Sequence, residues 1–216
     1  MNPGNELTPD ATGRHLRWMR SLLVAVAIGV GAAPLAAQTS GQLSLGLTAS
    51  GALVTDGVLR VTLRPTIAPT IGIAFAIPTG KGPYRALIEA HYARSSLHAN
   101  DMDFGTTDNI GSLTTIDALI MAEGPVTGAL RWQAGGGAIF YRPAENQGVF
   151  LDGPTRRWLL AGGVVWTHPL SPGMRLVVTG RVDSHTFTTD ILQARNYAGT
   201  QGVQRFGLHV GVERIF

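Results

Sequence analysis

Phe206-Gly207-Leu208-His209-Val210-Gly211-Val212-Glu213-Arg214-Ile215-Phe216 closes the chain and alternates with a period of two. Phe206, Leu208, Val210, Val212 and Phe216 fall on one face, and Gly207, His209, Gly211 and Glu213 on the other. Successive side chains of an extended strand point to opposite sides, so this stretch reads as a strand with one apolar and one polar face. Arg214 is the one charge on the apolar side, and beside the chain end its long stem can reach an interface.

Working back from the C-terminus, the same alternation recurs. Met174, Leu176, Val178 and Val182 oppose Arg175, Thr179, Arg181, Asp183 and His185, and Trp158, Leu160, Val164 and Trp166 oppose Arg157, Ala161, Gly163 and Thr167. Leu130, Trp132, Ala134, Ala138 and Phe140 oppose Arg131, Gln133 and glycines. Ile116, Ala118 and Ile120 stand against Thr115, Asp117 and Met121. Tyr84, Ala86, Ile88, Ala90 and Tyr92 stand against Arg85, Leu87, Glu89, His91 and Ala93. Ile71, Ile73, Phe75 and Ile77 form the apolar set of a strand ending at Pro78, and Leu43, Leu45 and Leu47 face away from Ser44, Gly46 and Thr48. That makes eight strands.

The connections alternate in length. Thr79 to Pro83, Glu123 to Gly128 and Pro169 to Gly173 read as tight turns containing Gly or Pro. Residues 97–110, 142–155 and 188–202 read as longer polar links. The link near Gly51 to Gly57 is less regular: Val58 to Arg64 also alternates, so the second strand either extends beyond the others or breaks at Pro65 or Pro69.

Of the 216 residues, 1–37 are expected to be a secretory signal and 38–216 a single barrel domain. Arg14, Arg17 and Arg20 make a basic start, Leu22 to Ala33 an apolar stretch of about a dozen residues, and Pro34-Leu35-Ala36-Ala37 a small-residue cleavage site before Gln38. That run is shorter than the roughly 20 residues of a membrane-spanning helix. Met19-Arg20 would itself open a good signal, which makes Met19 a candidate true start. The chain holds no cysteine, so disulfides and thiolate metal sites are excluded. The net charge of +3 comes from scattered arginines, with Lys81 the sole lysine, and no basic run tracks a nucleic-acid backbone.

Periodicity alone does not say which face is inside; aromatic spacing points to the membrane arrangement. Tyr84 and Tyr92, Trp132 and Phe140, and Trp158 and Trp166 are each eight residues apart, hence on one face. At about 3.3 Å per residue each pair spans roughly 26 Å, or about 20 Å of height on a strand tilted near 40°, close to the ~25 Å apolar band between two aromatic girdles of a membrane barrel. Tyr84, Trp132, Trp166 and Phe216 would form one girdle, and Tyr92, Phe140, Trp158 and Phe206 the other. The polar face then lines the lumen: Glu89, His91, Asp117, Arg131, Arg175, Arg181, Asp183, His185, His209 and Glu213. In an eight-stranded barrel side chains fill the interior, so these charges are expected to pair into a plug, with Gly135, Gly137, Gly163, Gly207 and Gly211 leaving room for the arginines. The expected fold is therefore all-β: an eight-stranded antiparallel up-and-down transmembrane β-barrel.

With its alternating last strand ending in Phe216, the chain resembles the small OmpA/OmpX-type outer-membrane barrels over about residues 40–216. The resemblance implies a Gram-negative outer membrane, periplasmic turns and C-terminus, four outward loops, contact with outer-membrane lipid, and recognition of Phe216 by the outer-membrane assembly machinery. Arg214 departs from the apolar or aromatic residue more usual there. The fold implies no single activity.

The residues favour a mainly structural or loop-mediated binding role, with the loop partner open, over two alternatives. A small-solute channel or ligand-binding barrel would use the inward arginines and histidines, but inward charges of both signs neutralise one another. An outer-leaflet lipid-modifying enzyme would need a nucleophile and base in contact, whereas Ser184 and His185 are adjacent on a strand and point to opposite faces. No catalytic set is therefore assigned, and no cofactor or metal site: no tight His-x-His or HExxH spacing joins His91, His185 and His209, and Asp101, Asp103 and Asp108 lack a downstream glutamate. A soluble eight-stranded ligand carrier, with the faces reversed, is the alternative fold.

Overall fold

In a computed structural model the described residues are 39–57, 60–80, 82–194 and 201–216. The expected signal segment lies outside them. Eight strands pair antiparallel in a closed ring: β1 (Ser40–Ser50), β4 (Ala68–Pro78), β5 (Arg85–Asp101), β6 (Thr107–Thr127), β7 (Leu130–Pro143), β8 (Thr155–Ser171), β9 (Met174–Phe187) and β10 (Gln201–Ile215). A hairpin of β2 (Val54–Asp56) and β3 (Val61–Pro65) lies along the upper part of β5. Closure by the β5–β6 and β1–β10 pairs leaves the ring without an open edge.

The register fixes the geometry. Pairing followed once round the ring, from Ser50 through Arg205, Asp183, Ala161, Gly135, Met121, Leu87 and Ala76, returns to β1 at Ser40, a shear of ten residues. Ten residues of about 3.3 Å, set against eight strands about 4.8 Å apart, tilt the strands roughly 40° from the barrel axis.

Several expectations need correction. The 97–110 link is mostly strand: β5 runs to Asp101 and β6 starts at Thr107, shifted at a bulge between Ser96 and His98, so only 102–106 turns. Glu123 is no turn residue, because β6 continues to Thr127 past an irregularity at Pro125 and the turn sits at Gly128, φ 51°. The turn after β8 narrows likewise to Pro172-Gly173. The irregular second strand both extends and breaks: β3 ends at Pro65, β4 resumes at Ala68, and Pro69 lies inside β4. Residues 144–154 carry a single 3-10 turn (Gly148–Phe150), and a short helix, α1 (Asp190–Ala194), follows β9.

The inward glycines serve backbone approach and histidine seating more than arginine room. A Cβ on Gly207 would stand 2.7 Å from the His209 ring, and one on Gly135 would be 2.7 Å from Met121 Cα.

Candidate functional site

Tight turns, the start of β1 and Phe216 gather at one end of the ring (the turn end); the longer connections gather at the other (the loop end). Of the ten side chains expected in the lumen, eight are buried, while Arg131 and Arg175 point inward at the turn end and stay partly exposed. They fall into two groups with an apolar layer between and above.

At the turn end Arg85 holds two glutamates. Its guanidinium donates to Glu123 at 2.6 Å and pairs with Glu213; Arg131 pairs with Glu123 and donates to the Pro83 carbonyl at 2.6 Å. Ser40 Oγ donates to Glu213 at 2.5 Å, while Arg175 is looser, 3.9 Å from Glu213.

The middle group centres on Arg181. This guanidinium lies 3.2 Å from Glu89, 3.3 Å from Asp117 and 2.7 Å from Asp183. Arg205 adds contacts of 3.1 Å to Asp117 and 3.6 Å to Asp183. His91 Nδ1 sits 2.8 Å from Asp117, and its ring stacks on His209 with centroids 5.2 Å apart. Gly72 and Gly46 make this stack possible, since a Cβ on either would run into the ring of His91 or His209. His185 hydrogen-bonds Tyr141 at 2.5 Å. A guanidinium presents its donors in a fixed fork, which suits several carboxylates arrayed round one side chain.

Arg85, on the polar face of its strand with Glu89 and His91, belongs to these networks, as do Glu123, Arg205 and Tyr141, which the sequence reading does not place inside. Parity could have found them: Arg205 is in phase with His209 and Glu213, Tyr141 with Gln133, and Glu123 with Asp117. Ser184 faces outward and His185 inward, so the two do not meet.

The interior is also less polar than expected. Leu87, Leu119, Met121, Ile139 and Leu159 fill the wall opposite the serines of β1. Towards the loop end Leu53, Leu63, Leu97, Leu113, Phe187 and Val203 are buried, with Phe187 edge-on to Tyr141 and Phe150, centroids 5.3 and 5.7 Å away. These residues alternate with outward polar ones on strands extending past the membrane-height segment, where water surrounds both faces and the inside becomes an ordinary core. Beside this core a cavity of about 480 Å³ opens among Val61, Leu63, Leu97, Val149, Phe150 and Ile191.

The outside decides the environment. Leu43, Leu45 and Leu47, Ile71, Ile73 and Phe75, Ile88, Ile116, Ile120, Leu160, Leu208 and Val210 are all solvent-facing, Ile120 by 69%. Every expected girdle residue is exposed on the same surface, from Trp132 at 36% to Trp158 at 78%. Tyr84 and Trp132 lean together over Gly124, and Phe216 lies beside Phe75 at Gly41. Tyr92, Ile116 and Phe140 share one pairing row. An apolar surface this continuous round a ring with a charge-paired interior is the inverse of a water-soluble barrel, and the closed ring satisfies every strand's hydrogen bonds in lipid. The fold is a transmembrane β-barrel. No protein-family model and no curated protein matches the chain. Among solved structures the barrel is similar to a major outer membrane protein from Thermus thermophilus, at 14% identity over 84% of this chain and 100% of that one, TM-score 0.49. It is also similar to the outer membrane protein OprG from Pseudomonas aeruginosa, at 11% identity over 83% and 97%, TM-score 0.47. Neisserial surface protein A is similar at 12% identity over 82% and 97%, TM-score 0.47. These are likenesses of fold.

Proposed function

We propose that the barrel resides in a bacterial outer membrane, turn end and C-terminus towards the periplasm, and acts as a non-enzymatic binding protein whose loop end takes up a small apolar molecule. The observation that carries this reading is the apolar cavity of about 480 Å³ at the loop end, above an interior blocked by the Arg181 network. Pockets for small ligands run from about 300 to 1,000 Å³ and are mainly apolar with a few polar groups, here Asp56, Ser112, Glu145 and Gln147. The paired charges support retention over passage, since no solute crosses the middle layer without parting Arg181 from its carboxylates. The secretory signal read in residues 1–37 and the continuous apolar belt on the outer face support the location.

The test is labelling in lipid nanodiscs with an aliphatic diazirine probe, mapped by mass spectrometry. Labels are expected on Leu63, Leu97 and Phe150 as well as on the lipid-facing belt. Leu97→Glu is expected to remove the loop-end labels and spare the belt. Labelling confined to the belt would overturn the ligand reading. Location is tested separately: the protein should fractionate with outer membranes of a Gram-negative host and migrate differently on a gel before and after boiling. A soluble periplasmic product without that shift would overturn the location.

A further inference from the structure

We propose that three outward arginines, Arg94, Arg142 and Arg156, form a binding site for the phosphate groups of an outer-leaflet glycolipid. All three are exposed. Each stands two residues beyond a girdle aromatic on its own strand, towards the loop end: Arg94 beyond Tyr92, Arg142 beyond Phe140, and Arg156 beyond Trp158. Two residues keep the face and climb about 6.6 Å along a strand, which lifts each guanidinium from the aromatic girdle to headgroup height.

The pairing register brings them together. Arg94 is opposite Thr114 on β6, Thr114 is opposite Arg142 on β7, and Arg156 on β8 is opposite Phe140, one side-chain step below Arg142. With strands about 4.8 Å apart, the three bases lie along an arc of roughly 15 Å. Hydroxyls complete it: Thr114 sits between the first two arginines, and Arg94 Nη2 donates to Ser112 Oγ at 3.1 Å.

Charge supplies the rest. Arg181, Arg205, Arg85 and Arg131 are each paired to carboxylates inside the barrel, whereas none of these three outward arginines has a carboxylate partner among the described residues. Unpaired like charges side by side on a lipid-facing surface repel, and they are stable there when an anion lies between them. Phosphate at a membrane surface is that anion, and the arginine fork binds it bidentately where a lysine would act as a point charge. The lipid face excludes an acidic protein as the occupant at this height.

This inference rests on the outer-membrane reading, and the test separates the two. The purified barrel is loaded into nanodiscs of phosphatidylcholine containing either diphosphorylated lipid A or lipid A with both phosphates removed, then re-isolated in mild detergent and assayed for bound glycolipid. Native protein is expected to retain about tenfold more of the phosphorylated form, the scale of one or two charge-assisted contacts. The triple variant Arg94→Gln, Arg142→Gln, Arg156→Gln is expected to lose that preference while keeping its heat-dependent gel shift. Equal retention of the two lipids, or a triple variant as selective as the native chain, overturns the site. Full competition by millimolar inorganic phosphate also overturns it, in favour of a free-anion site. Loss of the gel shift in native protein instead overturns the membrane reading.

Discussion

Arg181→Met is expected to lower the unfolding free energy by about 3–5 kcal/mol, the range for removing one partner of a buried ion pair. The guanidinium is buried and faces Glu89, Asp117 and Asp183, so its loss strands three carboxylates of which Arg205 reaches only two. Methionine fills similar volume, and the loss therefore reports charge rather than a cavity. Arg181→Lys should fall between, since an ammonium cannot span carboxylates on three sides. Glu89→Gln should cost least, because it leaves Asp117 and Asp183 on the guanidinium. Urea unfolding of the barrel refolded in lipid vesicles, followed by tryptophan fluorescence, reads these differences as shifts in midpoint. An unchanged midpoint for Arg181→Met would mean that water solvates the carboxylates. The middle layer would then be a hydrated passage, and the small-solute channel would replace the plug.

The second large effect is expected at Gly137 on β7. A Cβ there would overlap the Ala118 carbonyl oxygen and lie 2.8 Å from Leu119 Cα, contacts with backbone that no rotamer change relieves. Gly137→Ala should therefore cost more than the roughly 1–3 kcal/mol usual for overpacking, because β6 and β7 must part to admit one methyl group. Gly136 is the internal control: it points outward, where a Cβ would meet nothing closer than 3.0 Å from the Leu159 carbonyl oxygen. Gly136→Ala should fold nearly as well as the native chain. The fraction of each variant showing the heat-dependent gel shift measures the contrast. Equal fractions would mean that the two strands have slack at this point.

The barrel was legible because lipid and lumen impose opposite demands on successive residues. Leu43 to Leu47, Ile71 to Ile77 and Phe206 to Val212 print that demand at period two, and aromatics eight residues apart gave it a sign. Legibility failed where the demand changed. Beyond the membrane-height segment Leu63, Leu97 and Leu113 turn inward as an ordinary core, so residues 97–110 read as a loop although β5 and β6 continue through most of them. Glu123 was lost to the turn signal of Gly124-Pro125, which the structure absorbs as a strand irregularity.

By itself, then, the sequence determined the eight strands of the ring and which side of the wall the alternating residues within them face, because that depends only on parity within a strand. Only the tertiary structure decided the partners. Arg181 and Glu89 are 92 residues apart and meet across the lumen, and no spacing within either strand encodes that. The ten-residue shear of the closed ring sets the relative height of every strand, and so fixes which inward charges share a layer.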